Sequence, residues 1–172
     1  EAEGLIPDPA WKKEVKGEGW WDGDTYHLSI GQGDILATPI QVAAAFSAIA
    51  NGGTLYQPQI VQRVLDGEEI QPQVIRENFI DPANLQIVRE GMREAVTYGS
   101  SVLLNSLPVK VASKTGTAET WQENVYHNWV TVFAPYDDPQ IVLTVLIENV
   151  PGIQVVSLSV AKEVLEWYFT QD

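Results

Sequence analysis

The spacing of apolar residues changes several times along this chain, and the changes outline the predicted elements. Between positions 85 and 96 apolar residues recur every three or four positions, which is typical of a helix with one buried face. Near the C-terminus, β-branched and apolar runs separated by turn residues have instead the composition of strands. These runs predict strands over residues 109–117, 128–134 and 140–148, followed by a helix over 154–169.

Two of the predicted helices begin at capping residues. Thr38, followed by proline, stands three residues before Gln41, and this spacing predicts an N-cap that forms a capping box. Asn51-Gly52 should end that helix. Asp81, also followed by proline, caps the helix with the apolar spacing at 85–96, and Gly99 should end it. We expect both helices to pack in the core.

The remaining segments are less regular. Residues 1–37 are rich in glycine, tryptophan and acidic residues, which predicts an ordered loop with few regular elements. Residues 54–65 and 70–75 are predicted as two strands joined by a hairpin turn at 66–69. Because consecutive strands joined by short loops pair antiparallel, the sequence predicts an α+β fold. In this fold the C-terminal helix packs on an antiparallel sheet, and a helical segment precedes it.

Composition narrows the possible functions. A chain of 172 residues with 45% apolar content fits one domain with a sizeable core. The net charge of −13 argues against nucleic-acid binding, because a phosphate backbone needs a basic face. The absence of cysteine excludes disulfides and thiolate metal sites. Two histidines are too few to indicate a metal, and Gly31-Gln32-Gly33 lacks the third glycine of a dinucleotide loop, so we expect neither metal nor cofactor.

The candidate chemistry lies in Lys114-Thr115-Gly116-Thr117, at the end of a predicted strand. Alternation along a strand places Lys114 and Gly116 on one side and the two threonines on the other. An ammonium and hydroxyl donors suit a ligand that ends in a carboxylate, and a strand edge can pair with an extended peptide. A solvent-exposed strand end without a function is the alternative that these residues alone leave open.

K-T-G is one of three signatures of penicillin-binding proteins and class A β-lactamases, the others being S-x-x-K and S-x-N. The surrounding sequence resembles class B penicillin-binding proteins, and within them the elongation-type D,D-transpeptidases. The resemblance covers nearly the whole chain and rests on these segments: Pro9-Ala10-Trp11-Lys12-Lys13, Gly23-Asp24-Thr25, Ser29-Ile30-Gly31-Gln32-Gly33, Thr38-Pro39-Ile40-Gln41, Ala50-Asn51-Gly52-Gly53, Lys114-Thr115-Gly116-Thr117-Ala118-Glu119, His127-Asn128-Trp129 and Phe133-Ala134-Pro135.

This resemblance implies a serine acyl-enzyme mechanism in cell-wall cross-linking. A serine would attack the penultimate D-Ala carbonyl of a peptidoglycan stem peptide, release D-Ala and pass the acyl group to an amine, and β-lactams would acylate the same serine. Lys114 and Thr117 would be catalytic, and Thr115, Gly116 and Thr117 would bind substrate. The resemblance further implies a location on the extracytoplasmic face of the bacterial membrane, with the membrane anchor upstream of Glu1.

The other two family motifs are expected before the start of this chain. Ser159-Val160-Ala161-Lys162 fits S-x-x-K, but it follows K-T-G and lies in an apolar-periodic helix, so we interpret it as structural. Tyr126-His127-Asn128 has the shape of the second motif and is interpreted in the same way. Ser113 stands where the family usually has glycine, which leaves the chemistry named above unchanged.

We therefore expect residues 1–172 to be the C-terminal part of a transpeptidase domain, inactive without the part that carries the serine. Because the missing part of the domain would carry a helix and strands that pack on this part, we expect an apolar cleft to be left open. That cleft should be covered either by the remainder of the domain or by self-association. Three other functions stay open for the parent protein: a β-lactamase of the same fold, a β-lactam sensor, and a non-catalytic scaffold of a wall-synthesis complex.

Overall fold

The computed structural model describes residues 2–65, 67 and 69–171. Its elements in chain order are α1 (Pro9–Lys16), α2 (Asp22–Ser29), α3 (Pro39–Ala50), β1 (Leu55–Tyr56), β2 (Val74–Arg76), α4 (Pro82–Thr97), a 3-10 helix (Val102–Ser106), β3 (Ala112–Glu119), β4 (Val125–Ala134), β5 (Ile141–Pro151) and α5 (Val156–Thr170). In the part of the chain so described, no helix is both long and apolar enough to cross a bilayer.

The centre of the fold is a three-stranded antiparallel sheet in the order β3-β4-β5. On one face the buried side chains of Val130 and Val132 pack against Leu158 and Leu165 of α5. The opposite face presents Phe133, which packs in a second cluster with residues of α3 and α4. Because successive side chains of a strand point to opposite faces, β4 is covered on both sides. The predicted α+β fold, with α5 on an antiparallel sheet, is confirmed.

The capping residues form the bonds that the sequence predicts. The Gln41 N–H donates to Thr38 Oγ1 at 3.3 Å and the Thr38 N–H donates to Gln41 Oε1 at 2.9 Å, which closes the capping box of α3. Asp81 Oδ1 accepts from the Ala83 N–H at 2.8 Å and begins α4. Leu85, Met92 and Val96 are buried as predicted, whereas Val88 remains exposed.

Arg89 of α4 ties both helices to the sheet. Its guanidinium donates to the carbonyls of Ile49 and Ala50 at the end of α3, and to the Tyr136 carbonyl at 2.9 Å in the β4–β5 turn. It also lies over the rings of Phe133 and Tyr136, at 5.0 Å and 5.6 Å from their centroids. One cation thus satisfies the last carbonyls of a helix and fixes the turn beside it.

The N-terminus of α5 is capped by a residue of β4. Asn128 is 4% exposed, and its Oδ1 accepts from the Ser157 N–H at 2.9 Å. Its Nδ2 donates to the Gln154 carbonyl at 2.8 Å. Val155, which occupies the N-cap position itself, makes no side-chain cap bond. The sheet therefore supplies the cap that the local sequence does not.

The prediction of a loop over residues 1–37 is wrong in two places, because α1 and α2 lie there. Asp8 caps α1 by accepting from the Trp11 N–H at 2.8 Å, and Gly17 ends it in the left-handed region with φ of 72°. α2 begins where the Asp24 carboxylate accepts from the Trp21 N–H at 2.7 Å. These caps compensate for glycine-rich flanks that favour loop structure.

The prediction of two long strands before α4 is also wrong in extent. The antiparallel pairing is present, but β1 and β2 have two and three residues. Ile60 is 100% exposed and Leu65 94%, so the apolar residues between the strands have no core to pack on. An isolated ribbon without burial does not sustain a ladder. Residues 66 and 68 of the predicted turn lie outside the described residues.

Candidate active site

The K-T-G segment lies on β3, which is an edge strand of the three-stranded sheet. Its only strand neighbour among the described residues is β4, with Lys114 opposite Thr131 and Thr117 opposite Asn128. The Thr117 carbonyl accepts a hydrogen bond from Gln32 Nε2 at 2.9 Å, so it points away from β4. In an antiparallel ladder the N–H and C=O of one residue point to the same side, so the Thr117 N–H also faces the open edge.

Lys114 is exposed, with its ammonium at the surface of the sheet edge. Its Nζ donates to the carbonyl of Thr115 at 2.5 Å, which is one of the edge carbonyls of β3. The side chain therefore folds along the strand that a ligand would approach. This position gives the edge a positive charge in a chain whose net charge is −13.

The two threonines of the motif differ in their surroundings. Thr115 is half-buried, and its Oγ1 lies 2.9 Å from Ser100 Oγ, with either hydroxyl able to donate. Thr117 is exposed. The Thr115 hydroxyl thus has a partner within the protein, whereas Thr117 is the more accessible hydroxyl for a carboxylate. The Ser100 contact was missed by sequence reasoning because fifteen residues separate the pair.

Gly116 lies close to its neighbour in the sheet. A Cβ placed on Gly116 would lie 3.3 Å from the Cβ of Trp129, which is directly opposite on β4. The sequence predicts that this glycine leaves room for a close approach, and in the structure the approaching group is the tryptophan. A larger residue at position 116 would have to displace Trp129 by a few tenths of an ångström.

Ser113, the residue before Lys114 on the strand, carries a buried hydroxyl. Ser113 is fully buried, and so is Ser101 in the segment that follows α4. Within the described residues neither Oγ has a hydrogen-bond partner. A glycine at position 113, the usual residue in the family that the sequence resembles, would remove one of these unpaired groups.

Gln32 reaches the same edge from the loop after α2 and was not predicted as a site residue. Its Nε2 donates to the Thr117 carbonyl, and its Oε1 accepts from the Glu119 N–H at 3.2 Å. The two contacts span 85 and 87 residues of sequence, which no local pattern reports. The flanking glycines, Gly31 and Gly33, were the available signal of a tight turn that presents a side chain.

An ion pair holds the helices that support this loop. Lys12 of α1 is 5% exposed, and its Nζ donates to Asp24 Oδ2 of α2 at 2.7 Å. This hydrogen bond, together with the one from the Trp21 N–H, holds the pKa of Asp24 below its ordinary value. The pair joins α1 to α2, whose C-terminal turn leads directly into Gly31.

The two look-alike motifs have structural surroundings. Ser159 is exposed on α5, and the Lys162 ammonium lies 3.5 Å from the Glu166 carboxylate one turn later. Asn128 is the cap of α5 described above. Among the residues that the structure describes, no group of three or more histidine, aspartate and glutamate side chains could hold a metal ion.

The known proteins that this chain is similar to belong to one family. The family model of the penicillin binding protein transpeptidase domain matches residues 1–166. The peptidoglycan D,D-transpeptidase MrdA of Salmonella typhimurium is 29% identical over 98% of this chain and 31% of its own length. MrdA of Acinetobacter baumannii is 31% identical over 87% of this chain and 25% of its own length.

Solved structures show the same fold. PBP2 of Pseudomonas aeruginosa, in complex with WCK 5153, has a TM-score of 0.83 and 30% identity, covering 100% of this chain and 39% of that one. PBP2 of Helicobacter pylori, in complex with MreC, has a TM-score of 0.79 and 30% identity, covering 96% of this chain and 30% of that one. The chain spans about a third of the length of the curated relatives it matches. It belongs to the penicillin-binding protein transpeptidase domain family.

Proposed function

We propose that this chain supplies the K-T-G wall of a serine D,D-transpeptidase site that cross-links peptidoglycan and is acylated by β-lactams. The observation that carries the proposal is the position of Lys114, whose ammonium is exposed on the edge strand of the sheet. The activity named for the MrdA relatives agrees with this proposal.

The open edge of β3 suits an extended peptide with a carboxylate end. The peptide would pair, as an added strand does, with the outward N–H groups of Thr115 and Thr117, because the carbonyls of these two residues already accept from Lys114 Nζ and Gln32 Nε2. The Lys114 ammonium provides positive potential, and the exposed Thr117 hydroxyl donates to the carboxylate. Thr115 binds substrate as well if its hydroxyl exchanges the bond to Ser100 for one to the ligand. Gly116 contributes by leaving the space beside Trp129 free of a side chain.

The chemistry follows from these positions. The serine Oγ adds to the penultimate D-Ala carbonyl, and the oxygen of that carbonyl becomes negative in the tetrahedral intermediate. The Thr117 N–H donates to this oxygen together with the N–H of the serine itself. The peptide C–N bond then breaks, and D-Ala leaves as an amine that has taken up the proton given up by the serine hydroxyl. An acceptor amine later attacks the acyl-enzyme carbonyl, loses a proton, and displaces the serine, whose oxygen regains a proton. Removing one such donor costs roughly 10²- to 10³-fold in rate.

The serine in this proposal lies outside the 172 residues. The one S-x-x-K of the chain, at Ser159, follows K-T-G and is part of the α5 surface. Residues 1–172 would then be the C-terminal part of a transpeptidase domain on the extracytoplasmic side of the membrane. The chain alone is expected to be inactive, and its exposed apolar residues are expected to meet the remainder of the domain or, without it, a second copy.

The test is labelling of the longer protein that contains this chain with a fluorescent penicillin. Lys114→Ala is expected to lower the acylation rate constant by about 100-fold or more, because the ammonium and the ordering of the edge are lost together. Lys110→Ala is the matched control: this lysine is also exposed, four residues earlier, and pairs with Asp137 at 3.6 Å. It should label as the unmodified protein does.

The outcomes separate the possible functions. A label that persists, together with cross-linking of a stem-peptide donor to an acceptor amine, supports the transpeptidase. A label shed within minutes indicates a β-lactamase, a persistent label without cross-linking indicates a sensor, and no label indicates a scaffold. Equal labelling of Lys114→Ala and the unmodified protein would contradict the role of Lys114.

A further inference from the structure

The side-chain amide of Gln32 occupies part of the β3 edge. It donates to the Thr117 carbonyl at 2.9 Å and accepts from the Glu119 N–H at 3.2 Å. One donor and one acceptor from a single amide satisfy two consecutive outward groups of the strand, as a neighbouring strand would. The opposite assignment of the amide oxygen and nitrogen would place donor against donor and acceptor against acceptor.

The loop that carries Gln32 is held rigidly. Gly31 and Gly33 have φ of 73° and 79°, in the left-handed region that favours glycine. A Cβ on Gly33 would lie 3.2 Å from the Cβ of His27, so a larger residue at position 33 would crowd α2. The Gln32 N–H donates to the His27 carbonyl at 2.9 Å. Both the backbone and the side chain of Gln32 are therefore fixed.

A second side chain marks the other end of the edge. Arg93 of α4 donates to the Val111 carbonyl at 2.8 Å, just before β3 begins. The stretch between Val111 and Thr117 is what remains for an added peptide. The Thr117 N–H lies at the end of that stretch, on the residue whose carbonyl Gln32 holds.

We propose that Gln32 is a positioning residue that ends the peptide-binding edge at Thr117 and fixes the direction of the Thr117 N–H. This inference rests on the proposed function, in which that N–H receives the negative oxygen of the acyl intermediate. Gln32 acts through Thr117 and does not contact the reacting atoms. Because one amide holds both the Thr117 carbonyl and the Glu119 N–H, it restrains the two peptide planes on either side of Ala118, and with them the end of the strand that directly follows the Thr117 N–H.

The test uses two substitutions in the longer protein, Gln32→Met and Gln32→Glu. Methionine keeps the length and removes both hydrogen bonds. Glutamate at pH 7 keeps the acceptor for the Glu119 N–H but presents a carboxylate oxygen to the Thr117 carbonyl. Both variants should lower the penicillin acylation rate constant at pH 7 by about tenfold, less than loss of the donor itself would. The loss should fall on the acylation step more than on initial binding.

The pH dependence distinguishes positioning from a general effect on folding. When the carboxylate at position 32 of the Gln32→Glu variant is protonated, its O–H can donate to the Thr117 carbonyl while its other oxygen accepts from the Glu119 N–H. As pH falls from 7 towards the ordinary glutamate pKa of about 4.3, its rate relative to the unmodified protein should recover to within about threefold. Gln32→Met should show no recovery. Gln86→Met is the matched control, since Gln86 is exposed on α4 and bonds only to Glu90 among the described residues.

The results separate failure of this inference from failure of the proposed function. If the unmodified protein is not acylated, the proposed function fails. If it is acylated and both Gln32 variants react at the same rate as it does, the positioning role is wrong. Reduced rates that match an equal loss in Gln86→Met, or a Gln32→Glu rate that stays low at pH 4.5, would also overturn it.

Discussion

Removal of the Asn128 side chain should loosen α5 from its first turn. In Asn128→Ala the Ser157 N–H and the Gln154 carbonyl lose their partners at 2.9 Å and 2.8 Å. Each hydrogen bond has a net value of about 1 kcal/mol, and a buried donor left unsatisfied costs about 1–3 kcal/mol. Ser157 is 1% exposed, so water does not readily replace the lost acceptor. We expect a destabilisation of about 2–4 kcal/mol.

Hydrogen exchange measured by mass spectrometry reports this change locally. If α5 opens separately from the rest, a destabilisation of about 2 kcal/mol speeds exchange of its amides by about 30-fold, since about 1.4 kcal/mol corresponds to a factor of ten. Peptides from α4 serve as an internal reference. Asn84→Ala is the matched control, because Asn84 is exposed on α4 and its replacement should stay within about 0.5 kcal/mol. Unchanged exchange of α5 in Asn128→Ala would refute the capping argument.

Two further substitutions test other contacts that connect elements of the fold. Arg89→Met should lower stability by about 2–4 kcal/mol, because three carbonyls lose a charged donor and two rings lose a cation, whereas Arg89→Lys should recover part of the loss. An unchanged thermal midpoint in Arg89→Met would count against this. The depressed pKa of Asp24 predicts that its pairing with Lys12 stabilises the fold above the unfolded value of 3.8 and stops doing so as pH falls through the lower folded pKa. Asp24→Asn should therefore reduce the urea midpoint at pH 6, and the difference should shrink below pH 4; a difference independent of pH would contradict the assignment.

Elements whose stabilising contacts lie within a few residues could be predicted from sequence. Thr38 and Gln41 form their capping box across three positions, and Asp81 caps α4 across two. The same kind of signal existed for α1, where Asp8 precedes a proline and Gly17 ends the helix. It was outweighed by the glycine content of residues 1–37. Local caps were thus better guides than average composition.

Contacts between distant segments were beyond local patterns. The apolar run that leads into K-T-G predicted the strand that carries the motif, but the sequence did not report that Gln32 would bond to Thr117 or that the Thr115 hydroxyl would pair with Ser100. The same limit explains the long strands predicted at 54–75. Their apolar residues match strand composition, yet burial decides whether a ladder forms, and most of them are exposed.

The short unpaired stretch of β3 also limits association between copies of this protein at high concentration. A bare strand edge is a template on which another molecule can stack, and such stacking leads to aggregation. Arg93 at the Val111 carbonyl and Gln32 at Thr117 and Glu119 leave a neighbour little more than residues 113–117 to join. The unpaired stretch of β3 is thus long enough to pair with a short peptide and too short to pair with the sheet of a second molecule.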